Sequence, residues 1–224
     1  QRQMCIRDRA YVGANIVGTF NMLEACRAHT PAHLVLASTS SIYGASTSMP
    51  FDERVRTAEP LTIYAASKGA GELMAHSYAH LYAIPTTAVR FFTVYGPWGR
   101  PDMAYYIFAR RILSGEPLEI NNNGSSLRDF TYIDDLVEAM ARLMDAVPGA
   151  EGRVEGDTLS PVAPYRVVNA GGGQPVGLMD FVAEIEKAAG VTAQKLYRAL
   201  PAGDSDATFA DTRLLRSLTG YACL

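Results

Sequence analysis

Two strand-like runs constrain this chain most. His33-Leu34-Val35-Leu36-Ala37 is continuous in apolar residues rather than alternating, the pattern of a strand buried on both faces of a parallel sheet. Thr86 to Phe91 reads as a second strand. Parallel neighbours need a long crossover, usually helical, and Tyr64 to Ala83 supplies a helical stretch between them. Upstream, Val12, Ile16, Phe20, Leu23 and Cys26 recur at helical spacing, which predicts an amphipathic helix from Ala10 to Arg27. Helix, strand, helix, strand implies an α/β fold, a parallel sheet covered by helices.

Beyond Phe91 the pattern is more broken. Phe92 to Pro101 reads as a loop rich in aromatic, Gly and Pro residues, followed by a helix from Met103 to Leu113. Asn121-Asn122-Asn123-Gly124 is a turn signal of the hairpin kind. Arg128-Asp129-Phe130-Thr131-Tyr132-Ile133 leads into a helix from Leu136 to Asp145, with Asp134 or Asp135 as its cap. Pro148 to Pro164 is a long loop, and Tyr165 to Asn169 another strand. Gly171-Gly172-Gly173 lacks the G-x-G-x-x-G spacing of a dinucleotide turn and reads as a flexible turn before a helix, Leu178 to Ala189. From Ala193 onward the expectation is a short strand, the turn Pro201-Ala202-Gly203-Asp204, and a helix near Asp211 to Ser217. Gln1 to Arg9 is polar, arginine-rich and without period, the expected behaviour of a foreign or disordered leader.

Composition excludes several classes. The chain has 224 residues, 48% hydrophobic residues and a net charge of −3, a balance that implies neither a nucleic-acid nor a membrane-surface partner. Apolar runs fall short of the ~18 residues that span a bilayer, and the first residues lack a signal-peptide core. Cys5, Cys26 and Cys223 are far apart, which suggests neither disulfides nor a zinc site and points to a reducing, cytoplasmic setting. No metal is expected: His76 and His80 share a helix face, but no Glu follows His76 as a zinc-protease motif requires. A solvent-facing or subunit-facing pair is the expectation there. Ser40 and Ser41 are not in Gly-x-Ser-x-Gly, so no serine nucleophile is expected.

The chemistry concentrates at Tyr64 and Lys68. Four residues apart on a helix, they share a face. A tyrosine titrates near pH ~10, so a base at neutral pH needs its pKa lowered by roughly 3 units, about 4 kcal/mol. A nearby ammonium supplies about 1–3 units; a second cation, such as an oxidised nicotinamide, would supply the remainder. With twelve tyrosines and Lys68, Lys187 and Lys195 as the lysines, such a pair arises by chance in roughly one chain in six, so context decides. The strand at His33 ends in Ser38-Thr39-Ser40-Ser41, and Tyr64 follows 25 positions after Thr39. Open α/β sheets bind ligands at the carboxyl ends of their strands, where this cluster and the Phe92 loop would both lie. Arg128 is either a surface arginine or a phosphate or carboxylate ligand, a task its planar fork suits.

These residues carry a family resemblance. Ser38 to Gly44 (STSSIYG), Tyr64 to Lys68 (YAASK) and Arg90 to Pro97 (RFFTVYGP) resemble the extended short-chain dehydrogenase/reductases that act on nucleotide sugars, as does Asn15-x-x-Gly18-Thr19-x-Asn21-x-Leu23-Glu24-Ala25. Tyr95 to Ala104 (YGPWGRPDMA) and Arg128 to Asp135 (RDFTYIDD) look most like the UDP-glucuronate 4-epimerases of that group. The resemblance runs from about Ala10 to the end. It implies a partial Rossmann-type parallel sheet with helices on both faces, residues 10–100 forming the C-terminal part of an NAD-binding domain. Residues 101–224 would then be a smaller α/β part that binds the nucleotide sugar, with segments returning to the core. It also implies NAD as cofactor, a UDP-sugar substrate, and a homodimer through the helices containing Asn15 and Tyr64. By resemblance, Tyr64 is the base, Lys68 lowers its pKa and holds the nicotinamide ribose, and Thr39 relays the proton. Ser38 and Phe91 would join Tyr64 and Lys68 at the cofactor. Thr39, Ser40, Thr93, Arg100 and Arg128 would contact substrate, Thr93 and Arg128 at the diphosphate and Arg100 at the carboxylate.

Sister activities differ after Thr39. Related 4,6-dehydratases carry Asp-Glu there and decarboxylases a glutamate at the position of Ser41; both reactions need an extra acid or base that a serine cannot supply. Epimerisation at carbon 4 needs none. UDP-glucuronate is the expected substrate, with UDP-glucose/UDP-galactose epimerisation as the alternative. The family's opening strand, Gly-rich turn and helix, which seat the cofactor pyrophosphate, have no counterpart here. The expectation is therefore an epimerase truncated at both ends, and a non-catalytic fragment stands as the second alternative.

Overall fold

The computed structural model describes residues 8–149, 151, 153–201 and 205–223. Residues 1–7 of the expected leader and Ala202-Gly203-Asp204 of the expected turn lie outside them. The first helix begins earlier than its apolar period predicts: α1 (Asp8–Tyr11) passes through a π-helical stretch, Val12–Gly18, into α2 (Thr19–Ala28). Asp8 and Arg9, read from sequence as leader, belong to it. There follow β1 (Leu34–Thr39), a 3-10 turn (Ser40–Tyr43), α3 (Ile63–Tyr82), β2 (Thr86–Phe91) and β3 (Thr93–Tyr95). Next come α4 (Ala104–Ser114), β4 (Leu118–Ile120), β5 (Leu127–Tyr132), α5 (Ile133–Asp145) and β6 (Tyr165–Ala170). The chain continues with β7 (Pro175–Gly177), α6 (Leu178–Ala189), β8 (Lys195–Tyr197), β9 (Ala207–Thr208) and α7 (Arg213–Thr219).

The fold is α/β, as expected. β1, β2 and β6 form a parallel sheet in that order, with Leu34 opposite Thr86 and Thr86 opposite Tyr165. Alternation along a strand sends neighbours to opposite faces. Ala88 packs with Leu23, Ala75 and Ala79 of α2 and α3, while Val89 packs with Leu136, Leu143 and Leu215 of α5 and α7. Both faces of the sheet are thus covered. A second sheet, β3-β5-β7, carries β9 on β5, and β4 pairs with β8 over a core of Phe108, Ile112, Leu118, Ile120 and Val182. Among the described residues, no helix is long and apolar enough to cross a membrane.

Several local expectations are corrected. Thr93 to Tyr95, read as loop, is a strand paired in parallel with β5. The Asn121 turn makes no hairpin, because β4 pairs in parallel with the distant β8; Asn122 and Asn123 adopt left-handed backbone instead. Neither Asp134 nor Asp135 caps α5, whose cap position is Tyr132; the Asp135 carboxylate accepts the Tyr221 hydroxyl at 2.7 Å. The glycine run is not a flexible turn. Asp129 accepts backbone N–H groups from Gly172 (2.7 Å), Gly173 (3.0 Å) and Ala210 (2.9 Å), and a Cβ on Gly171 would stand 2.8 Å from that carboxylate. Glycine is there because the backbone closes around Asp129. His80 is exposed, as expected of a solvent-facing residue, while His76 is half-buried. They hold the loop before β6, through Ser160 Oγ (2.9 Å) and the Val162 carbonyl (2.6 Å).

Candidate active site

The candidate residues gather where β1 and β2 end. β1 runs two residues past its apolar core, so Ser38 and Thr39 are its last members rather than a following loop. Thr39 Oγ1 accepts the Ser41 amide and donates to Ser41 Oγ, both at 3.2 Å, which turns the chain into the 3-10 segment that Ser40 opens. α3 starts behind a Thr62 cap whose hydroxyl accepts the Ala65 N–H at 3.1 Å, the satisfied start that such caps provide. Tyr64 therefore stands in the first turn of α3 and Lys68 in the next, on the side facing β1. Lys68 Nζ donates to the Ala37 carbonyl at 3.0 Å, and burial lowers its pKa.

The phenol of Tyr64 has company. Tyr11 packs against its ring with centroids 5.2 Å apart. Asn15, in the π-helical stretch, donates to Ser67 Oγ at 3.0 Å, and Ser67 Oγ donates to the Tyr64 carbonyl at 2.8 Å. Arg100 is held by Asp102 through two bonds of 3.0 and 2.7 Å and is mostly exposed. Asp102 raises the pKa of its guanidinium most, with Tyr11 and Tyr64 adding to the effect, so Arg100 lies within electrostatic reach of the phenol. The loop that carries it depends on Gly96, whose φ is +133° and whose Cβ would lie 2.6 Å from Ile133.

The structure brings Thr39, Tyr64, Lys68 and Arg100 into one neighbourhood. The other sequence candidates stand differently. The Ser38 side chain is buried and spent on Glu72, which leaves its backbone to face the strand end. Phe91 packs into the core shared with α5. Thr93 opens β3 on the second sheet opposite Phe130. Arg128, on β5, donates to the Leu127 carbonyl (2.9 Å) and the Asp206 carbonyl (3.1 Å).

A family model described as "NAD dependent epimerase/dehydratase family" matches residues 3–154. The chain belongs to that family. It is 57% identical over 217 residues to a probable UDP-glucuronate 4-epimerase of Rhizobium meliloti (strain 1021), which covers 95% of this chain and 64% of that protein. UDP-glucuronate 4-epimerase 3 of Arabidopsis thaliana is 43% identical over 217 residues, 95% of this chain and 50% of that one. A crystal structure of the Bacillus cereus UDP-glucuronic acid 4-epimerase with UDP-glucuronic acid and NAD superposes with a TM-score of 0.80 at 31% identity, over 94% of this chain and 62% of that chain. The chain thus spans less than two thirds of the length of these relatives.

This family member also holds a polar network under the site that single-residue patterns do not flag. Ser38 Oγ donates to Glu72 Oε1 at 2.5 Å, and Arg90 binds the same carboxylate twice, at 3.1 and 2.8 Å. Arg90 lies over the Tyr43 ring at 4.9 Å; the Tyr43 hydroxyl donates to Asn169 Oδ1 at 2.7 Å. The Asn169 amide N–H donates to Glu53 Oε1 at 2.9 Å, and burial pushes the Glu53 carboxyl up to about 7. Two signals were present in the sequence: Glu72 continues the Tyr64, Lys68 spacing by four more residues, and Arg90 interrupts an otherwise uncharged strand.

Proposed function

We propose that this chain serves NAD-dependent epimerisation at carbon 4 of a UDP-sugar, interconverting UDP-glucuronate and UDP-galacturonate. The observation that carries the reading is the Tyr64–Lys68 pair at the end of β1, beside Thr39 and within reach of Arg100. The names of the Rhizobium and Arabidopsis relatives support the substrate, as does the ligand in the Bacillus structure.

NAD fits the donor set. A lysine ammonium has three N–H donors; the Ala37 carbonyl takes one, which leaves donors for ribose hydroxyls. Ser38 and Phe91 would flank the cofactor through the end of their strands. When bound, NAD+ accepts hydride from carbon 4 and returns it, so no redox equivalent is consumed. Tyr64 takes the carbon-4 hydroxyl proton, with Thr39 as relay, and gives it back after the resulting 4-keto sugar has presented its other face. Lys68 supplies a positive charge on the same helix face as the phenol. Thr93 and Arg128 hold the diphosphate, Ser40 the sugar, and Arg100 the carboxylate as a charge-assisted fork. Ser40 and Ser41, where sister enzymes need a carboxylate, favour epimerisation over dehydration or decarboxylation.

The same proposal makes residues 10–100 the C-terminal part of an NAD-binding domain and 101–224 mostly the nucleotide-sugar-binding part. It places the protein in the cytoplasm as a homodimer through the helices containing Asn15 and Tyr64, where Val17, Met22, Leu73 and Leu81 are exposed. The complete gene product, incubated with UDP-glucuronate and NAD+, should yield UDP-galacturonate by chromatography. Release of carbon dioxide or a 4-keto-6-deoxy product would overturn the reaction class, and conversion of UDP-glucose alone would overturn the substrate.

A further inference from the structure

Tyr64, Lys68 and Glu72 lie on successive turns of α3, on the side turned toward the sheet. Lys68 ties α3 to β1 through the Ala37 carbonyl. One turn further on, Glu72 ties it to both strands at once: Oε1 accepts Ser38 Oγ of β1, and both carboxylate oxygens accept Arg90 of β2. The Glu72 and Arg90 side chains are only 8% and 5% exposed. Arg90 is itself fixed, by the Glu53 carbonyl at 3.1 Å and by the Tyr43 ring. Ser38 immediately precedes Thr39, so the link reaches one residue from the expected proton relay.

We propose that Glu72 is a positioning residue for Tyr64 and Lys68. The inference rests on the reading of Tyr64 as the base. A helix packed on a sheet through small side chains, here Ala75 and Ala79 beside Ala88, has little in those apolar contacts to fix its rotation or axial position. Directional, charge-assisted bonds from one carboxylate to two strands supply that constraint. Loss of the link lets α3 shift by a fraction of its rise, and displacements near 1 Å cost roughly a hundredfold in rate when they misalign reacting groups.

The test separates position from stability. A buried ion pair can be replaced by apolar side chains of similar volume without loss of the fold, so Glu72→Met/Arg90→Met is the main variant. Ser38→Ala, which keeps the ion pair, is the second. Each is made in the complete gene product, with fluorotyrosine at position 64 as an activity-independent probe. Expected in the folded variants are a moved or split fluorine resonance without added ligand, and for the double variant a kcat lower by roughly 10- to 100-fold with KM for UDP-glucuronate little changed. A folded double variant with the wild-type fluorine resonance would overturn the proposal, whether or not its kcat falls; so would a Ser38→Ala resonance identical to wild type. If the wild-type protein does not convert UDP-glucuronate, the proposed function fails, while the fluorine measurement still decides the role of Glu72.

Discussion

Arg100 shows what a residue needs before chemistry can use it. Its fork is already oriented by Asp102, so little side-chain entropy remains to be lost on meeting a carboxylate. A charge-assisted bond is worth about 1.5–3 kcal/mol, or roughly 10- to 150-fold in kcat/KM. Arg100→Ala should therefore lose about that much with UDP-glucuronate and far less with UDP-glucose; equal losses on both would contradict the assignment. Glu53 makes a pH prediction at the same scale. Burial holds its pKa up to about 7, with the charges of Asp211 and Asp52 adding to the effect. A folded-state pKa raised above the unfolded value contributes stability at low pH and loses it as pH rises. Wild-type stability relative to Glu53→Gln should fall between about pH 4.5 and pH 7, read from urea midpoints. A difference that stays constant across that window would contradict the burial of this carboxyl.

Among the elements, β5 carries the clearest structural demand. Asp129 is fully buried in the middle of it, and three backbone N–H groups converge on its carboxylate. Asp129→Asn turns one acceptor oxygen into a donor facing those groups, a cost of about 1–3 kcal/mol. The urea midpoint should drop accordingly, with the slope unchanged; an unaltered midpoint would contradict the account of the glycine run. This element also shows why part of the fold was hidden in the sequence. β1, β2, β6 and α3 are long enough to carry a period, and their type is legible from apolar pattern alone. β3, β4, β7, β8 and β9 have two or three residues each, too few for alternation to be read. β5 has six, but a satisfied buried aspartate breaks its pattern. The site divides in the same way. That Tyr64 and Lys68 share a helix face was legible because local spacing sets it, whereas His76, His80, Asp135 and Arg90 find their partners through contacts between distant segments.

At the scale of the whole molecule, two helices leave apolar side chains exposed next to the site, Val17 and Met22 on one and Leu73 and Leu81 on the other. The proposed homodimer would cover these side chains. Light scattering on the complete gene product should give a dimer, and Leu73→Arg/Leu81→Arg should shift it to monomer; a wild-type monomer would contradict the proposed assembly. The central claim is that one phenol moves the proton while a resident nicotinamide removes and restores the same hydride. UDP-glucuronate carrying deuterium at carbon 4 tests it most directly. The account predicts UDP-galacturonate that retains deuterium at carbon 4, and no conversion by Tyr64→Phe; deuterium lost to solvent, or full conversion by Tyr64→Phe, would contradict it.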